Sequence, residues 1–280
     1  MLSPHNHLVK AGRVSTSIVS IVASVWHWRV LVKSLAVREL RARYAGSTLG
    51  GAWAVLEPAV QFALYLVVFG YFLGTRLEGS NDVSSFGMYL VSGLVPFQAL
   101  QESLIRATGL MRANAGLVRH VNVPVEVLLA GSLGAILVRH TITLSLVLIA
   151  AIAFGSFSWV QLPWLGVGVT LLIIGCWGFA LALVPAGAFL ADLSQVVGTG
   201  LMILFFMTPI VYPASMWPRA VAPYLALNPL VGLTEAFRAV VVGLPVQPLR
   251  VALTAGVAAA AVALGSALFT RRTRAARDVV

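Results

Sequence analysis

Residues 38–75 read RELRARYAGSTLGGAWAVLEPAVQFALYLVVFGYFLGT. A basic patch comes first, with Arg38, Arg41 and Arg43 ahead of the turn residues Ala45, Gly46 and Ser47. From Ala52 to Leu73 the chain is apolar except at Glu57, Pro58 and Gln61. About 22 helical residues rise far enough to cross roughly 30 Å of hydrocarbon. Lys and Arg collect on cytoplasmic flanks, so the arginines put the start of this span on the cytoplasmic side.

The composition extends that reading to the whole chain. Hydrophobic residues make up 59% and charged residues 10%, whereas a soluble domain carries about a quarter charged residues. This is the composition of an integral membrane protein. The net charge of +10 sits mostly at span flanks, which points to orientation and anionic lipid and away from nucleic acid. Cys176 is the single cysteine, which excludes an intrachain disulfide and a cysteine metal cluster. Lysine occurs only at Lys10 and Lys33, while Ala, Val, Gly and Arg abound, a bias of GC-rich genomes.

Around the quoted stretch, residues 1–17 are polar. Ile18 to Val25 is short and has no small-residue cleavage site after it, so no signal peptide is expected. Trp26 to Tyr44 has mixed faces and reads as a helix along the cytoplasmic leaflet; an amphipathic helix packed on the protein's own surface is the alternative. Six spans follow, at roughly 52–74, 86–105, 124–154, 163–190, 196–212 and 248–269. Gly93 and Pro96 interrupt the second. Residues 106–122 form a polar, basic segment, and Pro124 ends it sharply. Residues 213–246 hold five prolines and two apolar pieces too short to span, so broken helices dipping into the interface are expected. The fold class is therefore all-α, with residues 1–45 as tail and interfacial helix and 46–280 as a six-helix membrane domain ending in a tail, 270–280. About fourteen Lys and Arg residues fall in the N-terminal region, the 106–120 loop and the tail, which makes both termini cytoplasmic. Arg112 and Arg274 then lie on the cytoplasmic side, and Asn81 and Arg219 on the other.

Catalytic signatures are missing. There is no G-x-x-x-x-G-K-[ST] phosphate loop, no H-E-x-x-H and no G-x-S-x-G. Proton-coupled transport needs carboxylates near the bilayer centre, yet Glu57, Glu126 and Asp192 fall near span ends. Arg139 and His140 sit mid-span. They serve either as an interior pair satisfied by backbone carbonyls or as a polar point on a substrate path. No inverted repeat of the secondary-transporter kind is visible.

Four stretches carry a family resemblance: Arg38-Glu39-Leu40 through Arg43-Tyr44, Ser47, Leu49-Gly50 and Trp53 to Leu56-Glu57-Pro58; Asn114, Leu117-Val118 and Val123-Pro124 to Glu126-Val127-Leu128; Pro209-Ile210-Val211-Tyr212-Pro213; and Asn228-Pro229-Leu230 with Glu235-Ala236-Phe237-Arg238. Over about residues 30–270 the chain resembles the membrane subunit of ABC-2 type bacterial polysaccharide exporters, which move O-antigen, teichoic acid and capsule-like glycans. Val123 and Val125 depart from the phenylalanine and arginine often found there.

The resemblance implies a homodimeric channel in the bacterial cytoplasmic membrane, bound to two nucleotide-binding subunits that hold ATP and Mg, with no cofactor in this chain. It implies that residues 106–122 carry the coupling helix, with Arg112, Asn114, Leu117, Arg119, Val123 and Pro124 at the ATPase contact. Residues 213–246 become a re-entrant pair between spans 5 and 6, with Asn228, Glu235 and Arg238 at an extracytoplasmic gate.

A glycan offers apolar ring faces that aromatic side chains can stack on without stalling the polymer. Phe62, Tyr65, Phe69, Phe72, Phe205, Phe206 and Tyr212 are the candidates for that path; core or lipid-facing packing is the alternative for each. Arg38, Arg41, Arg43 and Tyr44 could draw the pyrophosphate of a lipid-linked glycan, or serve as topology signals and lipid contacts. The reading is thus export of a lipid-linked polysaccharide, a galactan precursor among the candidates. The rivals are an ABC-2 drug or lipid exporter subunit and a membrane-embedded glycan-processing enzyme.

Overall fold

The computed structural model describes residues 17–72, 74, 83–121, 123–217, 220, 224 and 227–279. Residues 1–16, Asn81 and Arg219 lie outside them. Among the described residues the architecture is all helical, with no strand. In chain order the helices are α1 (Ile18–His27), α2 (Arg29–Arg43), α3 (Trp53–Tyr65), α4 (Val83–Ala113), α5 (Ala115–His120), α6 (Val125–Ala153), α7 (Leu162–Phe189), α8 (Leu193–Phe206), α9 (Pro229–Val242) and α10 (Pro248–Val279). Gly50–Phe69, which contains α3, and helices α6, α7 and α10 are long and apolar enough to cross a membrane; the bent pair α1–α2 could add a fifth crossing.

Several boundaries differ from the sequence reading. The expected single helix from Trp26 to Tyr44 is two helices meeting at 75°. Ser17 and Ser20 form a reciprocal capping box that starts α1, and Trp28 leaves helical geometry at φ −92° and ψ 18°. The expected interruption at Gly93 and Pro96 does not occur: α4 runs 31 residues through both. Its neighbours bury it on most sides, and packing of this kind tolerates the hydrogen bond that proline removes. Residues 106–122 are consequently not one unit. Arg106 to Ala113 continue α4, and the break falls at Asn114, whose carbonyl accepts from Leu117 and Val118. The polar tail is helical through Val279. At the fifth apolar run, α8 stops at Phe206 and turns follow to Tyr212, because Pro209 disfavours helical geometry just before it.

Two apolar cores divide the bundle along its length. Phe86, Leu90, Leu94, Ile210, Leu230 and Phe237 belong to one. Ile21, Met111, Val118, Leu129, Phe269 and Ala276 belong to the other, so the first and last described helices share one end. The most extensive helix pairing is between α7 and α10. The buried stripe Val251, Thr254, Ala258, Ala261, Gly265 and Phe269 follows helical spacing along α10. Without a hydrophobic drive between helices in lipid, small residues make such contacts by admitting close backbones. A β-carbon on Gly178 would lie 2.5 Å from the Val262 nitrogen and 3.0 Å from Ala261 Cβ, while one on Gly175 would meet nothing within 4 Å. Gly178→Ala is therefore expected to destabilise by about 1–3 kcal/mol, since backbone cannot yield like a side-chain tip. Gly175→Ala should be neutral or stabilise by up to about 1 kcal/mol, since alanine is the better helix former and its methyl meets nothing. Thermal midpoints of the two variants in detergent check this; equal midpoints would refute the close crossing.

Candidate functional site

A cavity of about 520 Å³ opens between α3, α4 and α6, beside the end of α2. Its wall is polar although the helices are largely apolar. On α4, Gln98 and Glu102 stand four residues apart and Gln101 and Ile105 flank them, so one helix face turns polar there. On α3, Glu57 and Gln61 have the same spacing. Arg139, His140 and Thr143 come from α6, and Arg43 and Tyr44 from the end of α2.

Glu102 is the hub. Its carboxylate pairs with Arg139, lies 3.1 Å from His140 Nε2, and stands 3.4 Å from Arg43 Nη1. Arg43 also reaches Glu57 at 3.8 Å. One turn further along α4, Arg106 Nε meets Glu39 at 2.7 Å, and the other Glu39 oxygen accepts from Ser132 Oγ at 2.7 Å. These contacts tie α2, α3, α4 and α6 around the cavity. Arg139 and His140 face the bundle interior and meet the Glu102 carboxylate rather than backbone carbonyls, although His140 Nδ1 has no hydrogen-bond partner. Gln98, Gln101 and Glu102 went unnoticed because the second span was read as closing just past them; the polar run from Gln98 to Arg106 was the available signal.

The basic trio of the first span separates. Arg38 and Arg41 line an exposed groove with Lys33, while Arg43 and Tyr44 turn to the cavity. The aromatic candidates also divide. Phe62 and Tyr65 line a second, apolar cavity. Phe69 packs between Tyr65 and Phe86, with ring centroids 6.4 and 5.7 Å away. Phe72 is 80% exposed and stands apart from them. Phe205 packs on Phe97 at 5.1 Å, and the exposed Phe206 stands edge-on to Phe205. The Tyr212 hydroxyl donates to the Phe206 carbonyl.

In the coupling segment, Arg112 and Arg119 are exposed and Leu117 is half-buried, whereas Val123 and Pro124 are buried. Arg112 donates to the Ala188 carbonyl at 3.3 Å, and Asn114 donates to that of Leu110 at 2.9 Å. A partner can therefore touch the arginines, while Val123 and Pro124 act from inside by fixing where α6 begins.

At the far end, Asn228 caps α9 by accepting from the Leu230 amide at 2.9 Å, and its amide donates to Thr208 Oγ1 at 2.9 Å. Gly243, at φ +70°, closes the helix. Glu235 pairs with Arg250. Arg238 is 3% exposed. It donates to the carbonyls of Pro209 (2.6 Å), Tyr89 (3.3 Å) and Ile210 (3.4 Å), with its guanidinium carbon 3.6 Å from the Tyr89 ring centre. Gly93 makes room for it: a β-carbon there would lie 2.7 Å from the Arg238 Nη2. The Tyr89 hydroxyl in turn donates to Pro209 and Tyr212. The Pro209–Pro213 and Asn228–Arg238 stretches are thus tied together, and to the distant Tyr89, around the buried Arg238.

Charged side chains gathered in a cavity among membrane-length apolar helices fit a membrane transport protein, since such residues face bundle interiors and mark paths or sites. The model of the ABC-2 type transporter family matches residues 30–242, and the chain belongs to that family. The polysialic acid transport protein KpsM of Escherichia coli is 31% identical over 211 residues, covering 75% of this chain and 80% of the relative. The O-antigen export system permease protein RfbA of Myxococcus xanthus is 26% identical, covering 80% and 84%. The capsule polysaccharide export inner-membrane protein CtrC of Neisseria meningitidis serogroup B is 22% identical, covering 75% and 78%.

Proposed function

We propose that this chain is the channel subunit of an ATP-driven exporter that moves a lipid-linked polysaccharide out across the cytoplasmic membrane. The observation that carries the reading is that relatives matching most of the chain's length are named for polysaccharide, O-antigen or capsule export. The polar cavity supports it, since hydroxyl-rich cargo needs hydrogen-bonding groups inside the bilayer. Two copies form the channel. Two nucleotide-binding subunits bind ATP and Mg, because this sequence has no phosphate loop. The chain crosses the membrane six times with both termini cytoplasmic, and residues 213–246 form the re-entrant region with Asn228, Glu235 and Arg238 at the outer gate. The aromatic candidates Phe69, Phe72, Phe205, Phe206 and Tyr212 guide the sugar rings, while the apolar cavity lined by Phe62 and Tyr65 suits hydrocarbon better. A cell-wall galactan precursor is one candidate cargo. Deleting the gene and following surface glycan by immunoblot tests the reading: undiminished surface glycan, with accumulation of a drug instead, overturns it.

The coupling segment makes a separate prediction. Arg112 and Arg119 present two exposed charges beside exposed Ala113, Gly116 and Val121, a handle for an ATPase cleft. Replacing both arginines with Glu should cut ATPase co-purification and export together by about tenfold, the scale for charge reversal at a contact rim. Membrane level should stay unchanged. An unaltered pull-down with normal export removes this segment from the coupling role.

A further inference from the structure

The polar cavity continues into an apolar one. Pro58, Gln61, Gln98 and Thr143 line the 520 Å³ space and also a second space of about 180 Å³. Phe62, Tyr65, Leu94, Val147 and Ala150 wall the second. The same gradient runs along two facing helices. On α3, Glu57 and Gln61 precede Phe62 and Tyr65; on α6, Arg139 and His140 precede Val147 and Ala150. From Arg139 to Ala150 the helix rises about 16 Å, so charge gives way to hydrocarbon lining over a distance matching the step from a lipid's headgroup into its chain. Helix α3 walls both compartments on their outer side and has no buried residue. Val60 and Leu64 on it are 63% and 58% exposed, so a chain passing around α3 meets no polar barrier.

The polar compartment has hydrogen-bonding capacity to spare. Arg43, Arg139 and His140 converge on the single carboxylate of Glu102, yet each guanidinium carries five N–H donors. Gln61 and Gln98 stand where the compartments meet, and planar amides can both donate to and accept from sugar hydroxyls.

We propose that the two compartments are one binding site for a lipid-linked saccharide: its phosphate and first sugar lie among Arg43, Arg139, Gln61 and Gln98, and the start of its lipid chain lies between Tyr65 and Val147. This rests on the transport reading above, and moves the headgroup from the exposed Arg38 and Arg41 into the bundle. The small apolar compartment takes a segment of one chain, which favours a single-chain carrier over a two-chain phospholipid.

The test uses the purified full-length chain in phosphatidylcholine nanodiscs. The probe is farnesyl diphosphate bearing one N-acetylglucosamine. The comparison ligands are farnesyl diphosphate, N-acetylglucosamine 1-phosphate and phosphatidylglycerol. The probe should bind about tenfold tighter than any of the three. Thr143→Trp, which fills the junction, should abolish that advantage, and Arg139→Gln, which removes a phosphate donor, should weaken the probe and farnesyl diphosphate alike by about tenfold. Should either variant fail to fold, Gln61→Cys is purified folded and then blocked with a maleimide, with loss of binding expected. Equal binding of phosphatidylglycerol, or full probe binding by blocked Gln61→Cys protein, overturns the site. If the site fails while surface glycan still depends on the chain, the transport reading stands; if glycan export continues without the chain, that reading falls separately.

Discussion

Glu102→Ala lowers the thermal midpoint of the detergent-solubilised protein by about 6–12 °C and cuts its membrane level several-fold. The cause is what the substitution leaves behind. Arg139 is 15% exposed and the His140 side chain 7% exposed, and both meet Glu102. Breaking a buried pair by removing one partner costs about 3–5 kcal/mol, because the remaining charge is uncompensated. Glu102 itself is 31% exposed, so water offsets part of the loss and a value near 3 kcal/mol is expected, at about 2–4 °C per kcal/mol for chains approaching this size. Glu102→Met combined with Arg139→Met should recover most of the loss, since apolar replacement of a buried pair is often neutral. Scanning fluorimetry of parent, single and double variants decides the matter. A single variant as stable as the parent, or a double variant worse than both singles, contradicts the hub geometry.

Arg238→Met has the second large effect, by a different route. The replacement is close in length and removes a buried charge, which by itself would help. It also strips the donor from the Pro209, Tyr89 and Ile210 carbonyls and the cation from the Tyr89 ring. A buried acceptor left unmet costs about 1–3 kcal/mol, and Pro209 keeps one donor in the Tyr89 hydroxyl, so a net loss of about 2–4 kcal/mol is expected. Arg238→Lys should recover less than half, because an ammonium cannot reproduce the planar fork. Tyr89→Phe keeps the ring and loses only hydroxyl bonds, so it should cost about 1–2 kcal/mol. Thermal midpoints should rank parent, Tyr89→Phe, Arg238→Lys, Arg238→Met from highest to lowest. If Lys matches Arg, the forked geometry is not what holds α9.

Membrane character, helical class and the main apolar runs were all legible in residues 38–75 and the runs beyond them, because an apolar stretch of 20 residues or more has few physical options besides a buried or spanning helix. Pro124 ends its segment for a local reason that was legible too. The structure adds local caps that the sequence reading did not assign: Asn228-Pro229 and Gly243 bound α9. What sequence could not decide is which sparse polar residues meet. Glu102 and Arg139 lie 37 positions apart on helices that are each continuous, and Arg238 reaches carbonyls 28 to 149 positions away. Gly93 looked like a helix breaker and is instead the space a guanidinium occupies. Helical period tells which face a residue shares within its own helix, but it carries no information on the rotation of one helix against another. Only tertiary packing sets that rotation, and with it whether a buried charge finds its partner, so the fold was written in local pattern and the site in the packing of α2, α3, α4 and α6.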